Sequence, residues 1–245
     1  MATNASTGAP LGRGYMADQG FYTRFAILLS LFIVLAFGGF ALSGLGNPAP
    51  APLLVHAHAA LMLAWLGMYI LQSSLISAGQ VAVHRRTGWL SLLVALAAML
   101  TGAATGINAV DSGRVPPFFT DSFFLALTSV GVLSFAAVVT LAIVKRRHVQ
   151  WHRRLMIGSG IMIAEPAFGR VVPLPLTGQS LGELIILGLQ LLLVGLLARH
   201  DRKVFSRVHP ATLVIALALI VNHLMLELLH RMPAWQGLAA GIAAP

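Results

Sequence analysis

The chain has 245 residues, of which 58% are hydrophobic and only 9% are charged. A soluble globular domain has about 25% charged residues, so this composition predicts an integral membrane protein. The chain contains no cysteine, which excludes disulfides, thiolate metal sites, iron–sulfur clusters and cysteine nucleophiles.

Residues 1–24 are polar, and no small-residue cleavage site follows the next apolar run. We interpret them as a cytoplasmic tail and not as a cleaved signal. Residues 25–231 are predicted to form a transmembrane bundle and residues 232–245 a short C-terminal tail outside the membrane. A span needs about 20 mostly apolar residues. The candidate spans are 25–45, 53–77, 89–110, 122–144, 155–171, 181–198 and 211–229.

The predicted fold is therefore all-α, a polytopic transmembrane helical bundle with seven spans. Six spans is the alternative, because Pro166 interrupts the fifth candidate and Pro173 and Pro175 leave little room before the sixth. Most of the 16 Lys and Arg residues fall in the N-terminal tail or in alternate loops. The positive-inside rule then places the N-terminus in the cytoplasm and, with seven spans, the C-terminus outside a plasma membrane. We interpret the basic excess as contact with lipid headgroups, not with nucleic acid.

A short motif occurs twice at predicted cytoplasmic helix starts. "HRRTGW" begins at His84 and "HRRLMI" begins at His152. A duplicated hairpin explains the repetition, and so does the general abundance of basic residues in inner loops.

Ionisable residues gather in the predicted outer half of the bundle. Such groups are costly in hydrocarbon and normally face the bundle interior or a wet cavity. We therefore expect one shared polar site that opens outward. Its candidate members are His56, His58, Glu165, Arg170, Glu183, His223, Glu227 and His230.

His223, Glu227 and His230 are spaced i, i+4, i+7, which places them on one helical face. Imidazoles and a carboxylate ligate iron or zinc. The predicted metal ligands are His56, His58, His223 and Glu227, with His230 at the headgroup boundary.

A b-type haem is the second predicted cofactor, since it needs two axial His on different helices. His56, His58 and His223 are the candidates for an outer pair. His84, His148 and His152 are candidates for an inner pair, with arginines for the propionates, although headgroup contact also explains these three. The clustered carboxylates favour a metal ion over haem.

Glu165 and Arg170 in "AEPAFGR" are the predicted catalytic residues. Glu165 is expected to act as a ligand or proton-transfer base, and Arg170 as a clamp for an anionic group. A structural ion pair between the two is the alternative. Retinal is excluded, because the only lysines, Lys145 and Lys203, lie in predicted inner loops.

The motifs "HRRTG", "WHRRLMI" and "PAFGR" on a small polytopic frame resemble a family of uncharacterised bacterial membrane proteins grouped as a domain of unknown function. The resemblance covers residues 53–170 and implies a bacterial inner-membrane protein. The outer His residues also loosely resemble those of b-type cytochrome bundles.

These features predict a metal- or haem-dependent membrane redox protein or enzyme that acts on a lipophilic small molecule or quinone. Three alternatives remain: a proton-coupled transporter, a metal-independent acid–base enzyme on a lipid or isoprenoid, and an assembly scaffold without a site. The transporter predicts polar groups on both sides of the membrane midplane.

Overall fold

The computed structural model describes residues 16–44 and 49–243, and these residues form helices and no strands. The predicted tail residues 1–15 and the end of the first predicted span, at Leu45, lie outside the described residues, as do residues 244–245. The helices are α1 (Gln19–Leu42), α2 (Leu53–Ser77), α3 (Val81–Asp111), α4 (Asp121–Val144), α5 (Val149–Ile163), α6 (Glu165–Phe168), α7 (Leu174–Thr177), α8 (Gln179–Phe205), α9 (Pro210–Leu229) and α10 (Pro233–Ala243).

Six of these helices, α1, α2, α3, α4, α8 and α9, are long and apolar enough to cross a membrane. Their outer faces expose large apolar side chains, among them Leu28, Leu93 and Leu133. The chain is thus an all-helical, multi-pass membrane protein whose surface suits contact with lipid. The predicted fifth span is instead divided into α5, which has 15 residues, and α6, which has four.

The first five helices form a closed ring in which each packs against the next and α5 packs back against α1. Aromatic side chains fill its interior: the Trp65 ring on α2 lies 5.4 Å from the Phe135 ring on α4 and stacks on Tyr69. Helices α8 and α9 pack together beside α5. Close approach of α5 and α9 requires Gly158, since a Cβ there would lie 2.5 Å from Ile215.

One end of the bundle, called the basic end below, is where α1, α3, α5 and α9 begin. A fully buried ion pair joins Arg154 of α5 to Asp201 near the end of α8, with Nε 2.9 Å from the carboxylate. The other oxygen of Asp201 accepts hydrogen bonds from Thr212 at 2.6 Å and from the His209 backbone at 3.0 Å. These contacts hold the start of α5, the end of α8 and the start of α9 together at the basic end.

A second ion pair extends this network to α1. Arg153 donates two hydrogen bonds, of 2.7 and 2.8 Å, to Asp18, and His200 Nε2 lies 3.1 Å from the same carboxylate. The Tyr22 ring lies below the Arg153 guanidinium, 4.1 Å away. The start of α1, the start of α5 and the end of α8 therefore meet.

The predicted boundaries differ from the structure at both ends of the chain. Helix α1 begins at Gln19, inside the predicted tail, and residues 233–243 of the predicted C-terminal tail form α10. Helix α10 packs against α3 and α4, where Trp235 donates a hydrogen bond to the Ser122 carbonyl at 2.9 Å.

Replacing Arg154 with Met is expected to lower the free energy of unfolding by about 3–5 kcal/mol, because it leaves Asp201 buried and unpaired. The double variant Arg154→Met/Asp201→Leu should recover part of that loss, and Arg147→Met, an exposed basic residue nearby, should change little. Thermal unfolding in detergent, followed by circular dichroism, measures all three. If the Arg154→Met protein is as stable as the wild type, the Arg154–Asp201 ion pair does not stabilise the fold as described here.

Candidate functional site

Three glutamates come together at the end of the bundle opposite the basic end, where α6, α8 and α9 meet. Glu165 begins α6, Glu183 lies in the second turn of α8, and Glu227 lies in the last turn of α9. Glu165 is 8% exposed and Glu183 is 4% exposed. These residues and Asn222 of α9 are called the acidic site below.

The position of Glu165 follows from the interruption between α5 and α6. Pro166 has no backbone N–H and therefore cannot bond the Met162 carbonyl four residues earlier. The side-chain amide of Gln190 on α8 donates to the Ile161 carbonyl at 3.0 Å and to the Met162 carbonyl at 3.4 Å. The carbonyls that lose their helical partner at the interruption thus receive a hydrogen bond from a neighbouring helix.

Asn222 is the hydrogen-bond partner of Glu165. Its amide nitrogen donates to the Glu165 carboxylate at 3.4 Å, and Asn222 itself is 6% exposed. The Asn222 side-chain oxygen is buried and has no hydrogen-bond partner among the described residues. An acceptor without a donor is therefore present inside the acidic site.

Glu227 has a richer set of partners. Ser180 of α8 donates to it at 3.2 Å, Arg231 forms an ion pair with it, and His230 Nε2 lies 3.5 Å from the same oxygen. The Arg231 side chain is 62% exposed, so this ion pair reaches the surface. Glu227 therefore forms the outward edge of the acidic site.

Glu183 is the least compensated of the three carboxyls. It lies close enough to Glu165 and Glu227 for both charges to act on it. No described group donates a hydrogen bond to its carboxyl. A buried carboxyl beside two others, without a cation of its own, is the chemically distinctive feature here.

The predicted residues on α9 share this corner of the protein. His223 is partly buried and lies one helical turn from Glu227, which acts on it electrostatically. His230, the residue after α9 that was predicted at the headgroup boundary, is 8% exposed, and its ring packs edge-on against Phe123, with centroids 4.9 Å apart.

The two predicted ligands on α2 lie elsewhere. His56 is exposed, and His58 Nδ1 lies 3.1 Å from Thr101 Oγ1 on α3. Helix α2 packs against α1 and α3, whereas α9, which carries His223, packs against α4, α5 and α8. Within residues 16–44 and 49–243, no three His, Asp or Glu side chains form a group that would hold a metal ion. The metal and haem sites predicted from His56, His58, His223 and Glu227 stay predictions without support from this packing.

Arg170 does not pair with Glu165. Its guanidinium lies 3.6 Å from the Phe37 ring on α1 and donates to the Pro166 carbonyl at 2.7 Å. It lines a groove with Leu35, Gly39 and Val171. The alternative prediction, an ion pair between Glu165 and Arg170, is therefore not found among the described contacts of Arg170.

Sequence reasoning missed Asn222, Ser180 and Gln190. A signal for Gln190 was present, because it shares the buried face of α8 with Glu183 and Asp201. Ser180 precedes the predicted sixth span, and Asn222 is a single neutral side chain beside His223, so neither residue carries a comparable signal. No family model, curated protein or solved structure matches the chain.

Replacing Asn222 with Leu is expected to destabilise the protein by about 1–3 kcal/mol, because it leaves the buried Glu165 carboxyl without its donor. The double variant Glu165→Leu/Asn222→Leu removes both polar groups and should be destabilised less than Asn222→Leu alone. Chemical or thermal unfolding in detergent measures the difference. Additive losses in the double variant would show that the two side chains are not coupled.

Proposed function

We propose that this protein is a proton-coupled membrane carrier in which Glu165 and Glu183 bind and release protons. The observation that carries the proposal is the burial of these two carboxyls, without an ion pair among the described residues, where the α5–α6 segment is interrupted. Ionisable groups within a membrane bundle mark ion or proton pathways by default.

Buried carboxyls without a cation are expected to bind protons. Moving a carboxylate out of water without a cation costs several kilocalories per mole, and binding a proton removes that cost. Glu165 and Glu183 also repel one another when both are ionised. The acidic site is thus expected to exchange protons when a solute or a conformational change alters its access to water.

The interrupted helix supports a carrier over a static scaffold. Discontinuous membrane helices place backbone groups and side chains at substrate and coupling-ion sites in many transporters. Here Glu165 begins the second segment, and Gln190 covers the carbonyls that the interruption leaves. Side-chain donation from α8 provides a contact that a movement of α8 would break and remake.

Polar groups at both ends of α8 also favour a carrier. Asp201 is fully buried at the basic end, while Glu183 and Gln190 lie on the same helix face toward the other end. Asp201 lies beyond residue 198, where the predicted sixth span ends, and was not among the predicted site residues.

The acidic site offers the carboxyls of Glu165 and Glu183 and a neutral amide. This combination favours a positively charged, partly apolar solute that displaces protons.

We further propose seven membrane crossings, with α5 and α6 together as the additional one. The start of α5 contacts the start of α1 through Arg153 and Asp18, whereas Glu165 of α6 contacts Asn222 in the second half of α9. The basic loops then favour a bacterial inner membrane, a cytoplasmic N-terminus and an external C-terminus.

A hydrophobic carbodiimide tests the protonation, because it reacts with protonated carboxyls in apolar surroundings. We expect mass spectrometry to find the adduct on Glu165 or Glu183 at neutral pH and not on the exposed Asp111. Glu165→Gln and Glu183→Gln should each remove the adduct from its own peptide. Absence of an adduct on both residues of the wild-type protein would overturn the proposal.

Transport itself is measured in vesicles that contain a pH-sensitive dye. Adding a lipophilic cation such as ethidium outside is expected to drive proton movement through the wild-type protein. The Glu183→Gln variant should lose that movement, and Asp111→Asn, which removes an exposed carboxyl, should keep it. Equal signals from the wild type and Glu183→Gln would argue against coupling through the acidic site.

The absence of natural cysteine makes single-cysteine labelling a clean test of topology. Cysteines at Arg147 and Ser206 are expected to react with an impermeant reagent from one side of the membrane. Cysteines at Ser112 and Gln236 should react from the other side. Labelling of positions 147 and 236 from the same side would rule out seven crossings.

A further inference from the structure

The repeated His-Arg-Arg motifs bring two histidines together at the basic end. His84 lies in the first turn of α3 and His152 in the first turn of α5, and their ring centroids are 6.3 Å apart with planes at 76°. Helix α4 separates α3 from α5 in the helix ring. The two imidazoles therefore meet across the mouth of the ring and not along one helix pair.

Both imidazoles are held in the same way. His84 Nδ1 lies 3.3 Å from the Gln72 carbonyl near the end of α2, and His152 Nδ1 lies 2.9 Å from the Ala142 carbonyl near the end of α4. A carbonyl only accepts, so each Nδ1 carries the proton and each Nε2 keeps its lone pair. Metal-bound imidazoles are oriented by this kind of second hydrogen bond.

The atoms around the pair leave acceptors unused. No described group hydrogen-bonds Nε2 of His84 or His152. The Gln72 amide nitrogen donates to Thr87 at 2.7 Å, but its side-chain oxygen is buried and has no partner in the described part of the chain. Each imidazole thus keeps an Nε2 lone pair that no described donor uses, and the buried Gln72 side-chain oxygen is a further unused acceptor.

The spacing suits one metal between the two rings. Imidazole nitrogens bind a metal at about 2 Å, so two ligands on opposite sides stand about 4 Å apart. Two imidazoles that bind one ion through Nε2 from opposite sides have ring centroids about 6 Å apart, and the separation here is 6.3 Å. Gly88, one turn after His84, has only the Gln72 side-chain oxygen near the position of a Cβ, 3.8 Å away, and leaves space beside the pair.

The surrounding charge decides which kind of metal centre fits. Arg85 acts electrostatically on His84, and Arg146 acts on His152, so a bare divalent cation would be repelled. No carboxylate is among the groups that act on either imidazole. A porphyrin supplies four ligands and its own negative charge, and it asks the protein for two axial imidazoles and for basic residues near its propionates.

We propose that His84 and His152 are the axial ligands of a b-type haem at the basic end of the helix ring. The Nε2 atoms would hold the iron, and the neighbouring arginines Arg85 and Arg146 would face the propionates. This site is separate from the acidic site and does not depend on the proposed carrier function. Bound haem would add one-electron redox chemistry to the cytoplasmic side of the protein.

Optical spectroscopy of the purified full-length protein tests the haem, with hemin added to samples that lack it. We expect a Soret band, a reduced-minus-oxidised difference spectrum of six-coordinate haem, and about one haem per chain from the pyridine haemochrome, as one axial pair requires. His84→Ala and His152→Ala should each lose the difference bands. His148→Ala, from the same basic loop, and His223→Ala should retain them.

Gel filtration and circular dichroism show whether each variant is folded, and His84→Met provides a variant that keeps an axial ligand. His84→Met is expected to bind haem with shifted bands, which a purely structural histidine would not produce. The proposal is overturned if the wild type binds no haem even after hemin addition. It is also overturned if folded His84→Ala and His152→Ala keep the wild-type spectrum, or if metal analysis finds a bound ion without porphyrin.

Discussion

The buried ion pair between Arg154 and Asp201 is the constraint on which the arrangement of the second half of the bundle depends. Both side chains are fully buried, and a lone charge at either position would carry a large desolvation penalty. Satisfying Asp201 also requires Thr212 and the His209 backbone. Helices α5, α8 and α9 must therefore meet in one register, and that register brings Glu165, Glu183 and Asn222 together at the far end.

Hydropathy and charge were sufficient to predict a helical membrane bundle, because the length of an apolar run and the location of Lys and Arg are properties of sequence alone. Six of the predicted spans correspond to long apolar helices. The fifth predicted span was uncertain because it contains Pro166, and the structure is divided at that point: proline removes a backbone donor. The way the α5–α6 segment packs depends on contacts with α8, and a local sequence pattern does not reveal which helices are neighbours.

The candidate site was predicted less completely, because depth in the membrane does not determine which helices are neighbours. Glu165 and Glu227 both lie close enough to Glu183 for their charges to act on it, whereas His56 and His58 belong to α2 on the helix ring. Asp201 falls beyond residue 198, where the predicted sixth span ends, although it lies one turn beyond Leu197 on the buried face of α8. The repeated motif at His84 and His152 was visible in the sequence, whereas their meeting across the ring was not.

The attachment of α10 also bears on how the acidic site would open in the proposed carrier. Ser122 of α4 donates to the His230 carbonyl at 2.9 Å and accepts from Trp235 through its own carbonyl. The end of α9, which carries Glu227, is therefore held to the start of α4 and to α10. In the proposed carrier, the α6–α7 segment and the first turns of α8, which carry Glu165 and Glu183, would then be the parts that move when the acidic site opens.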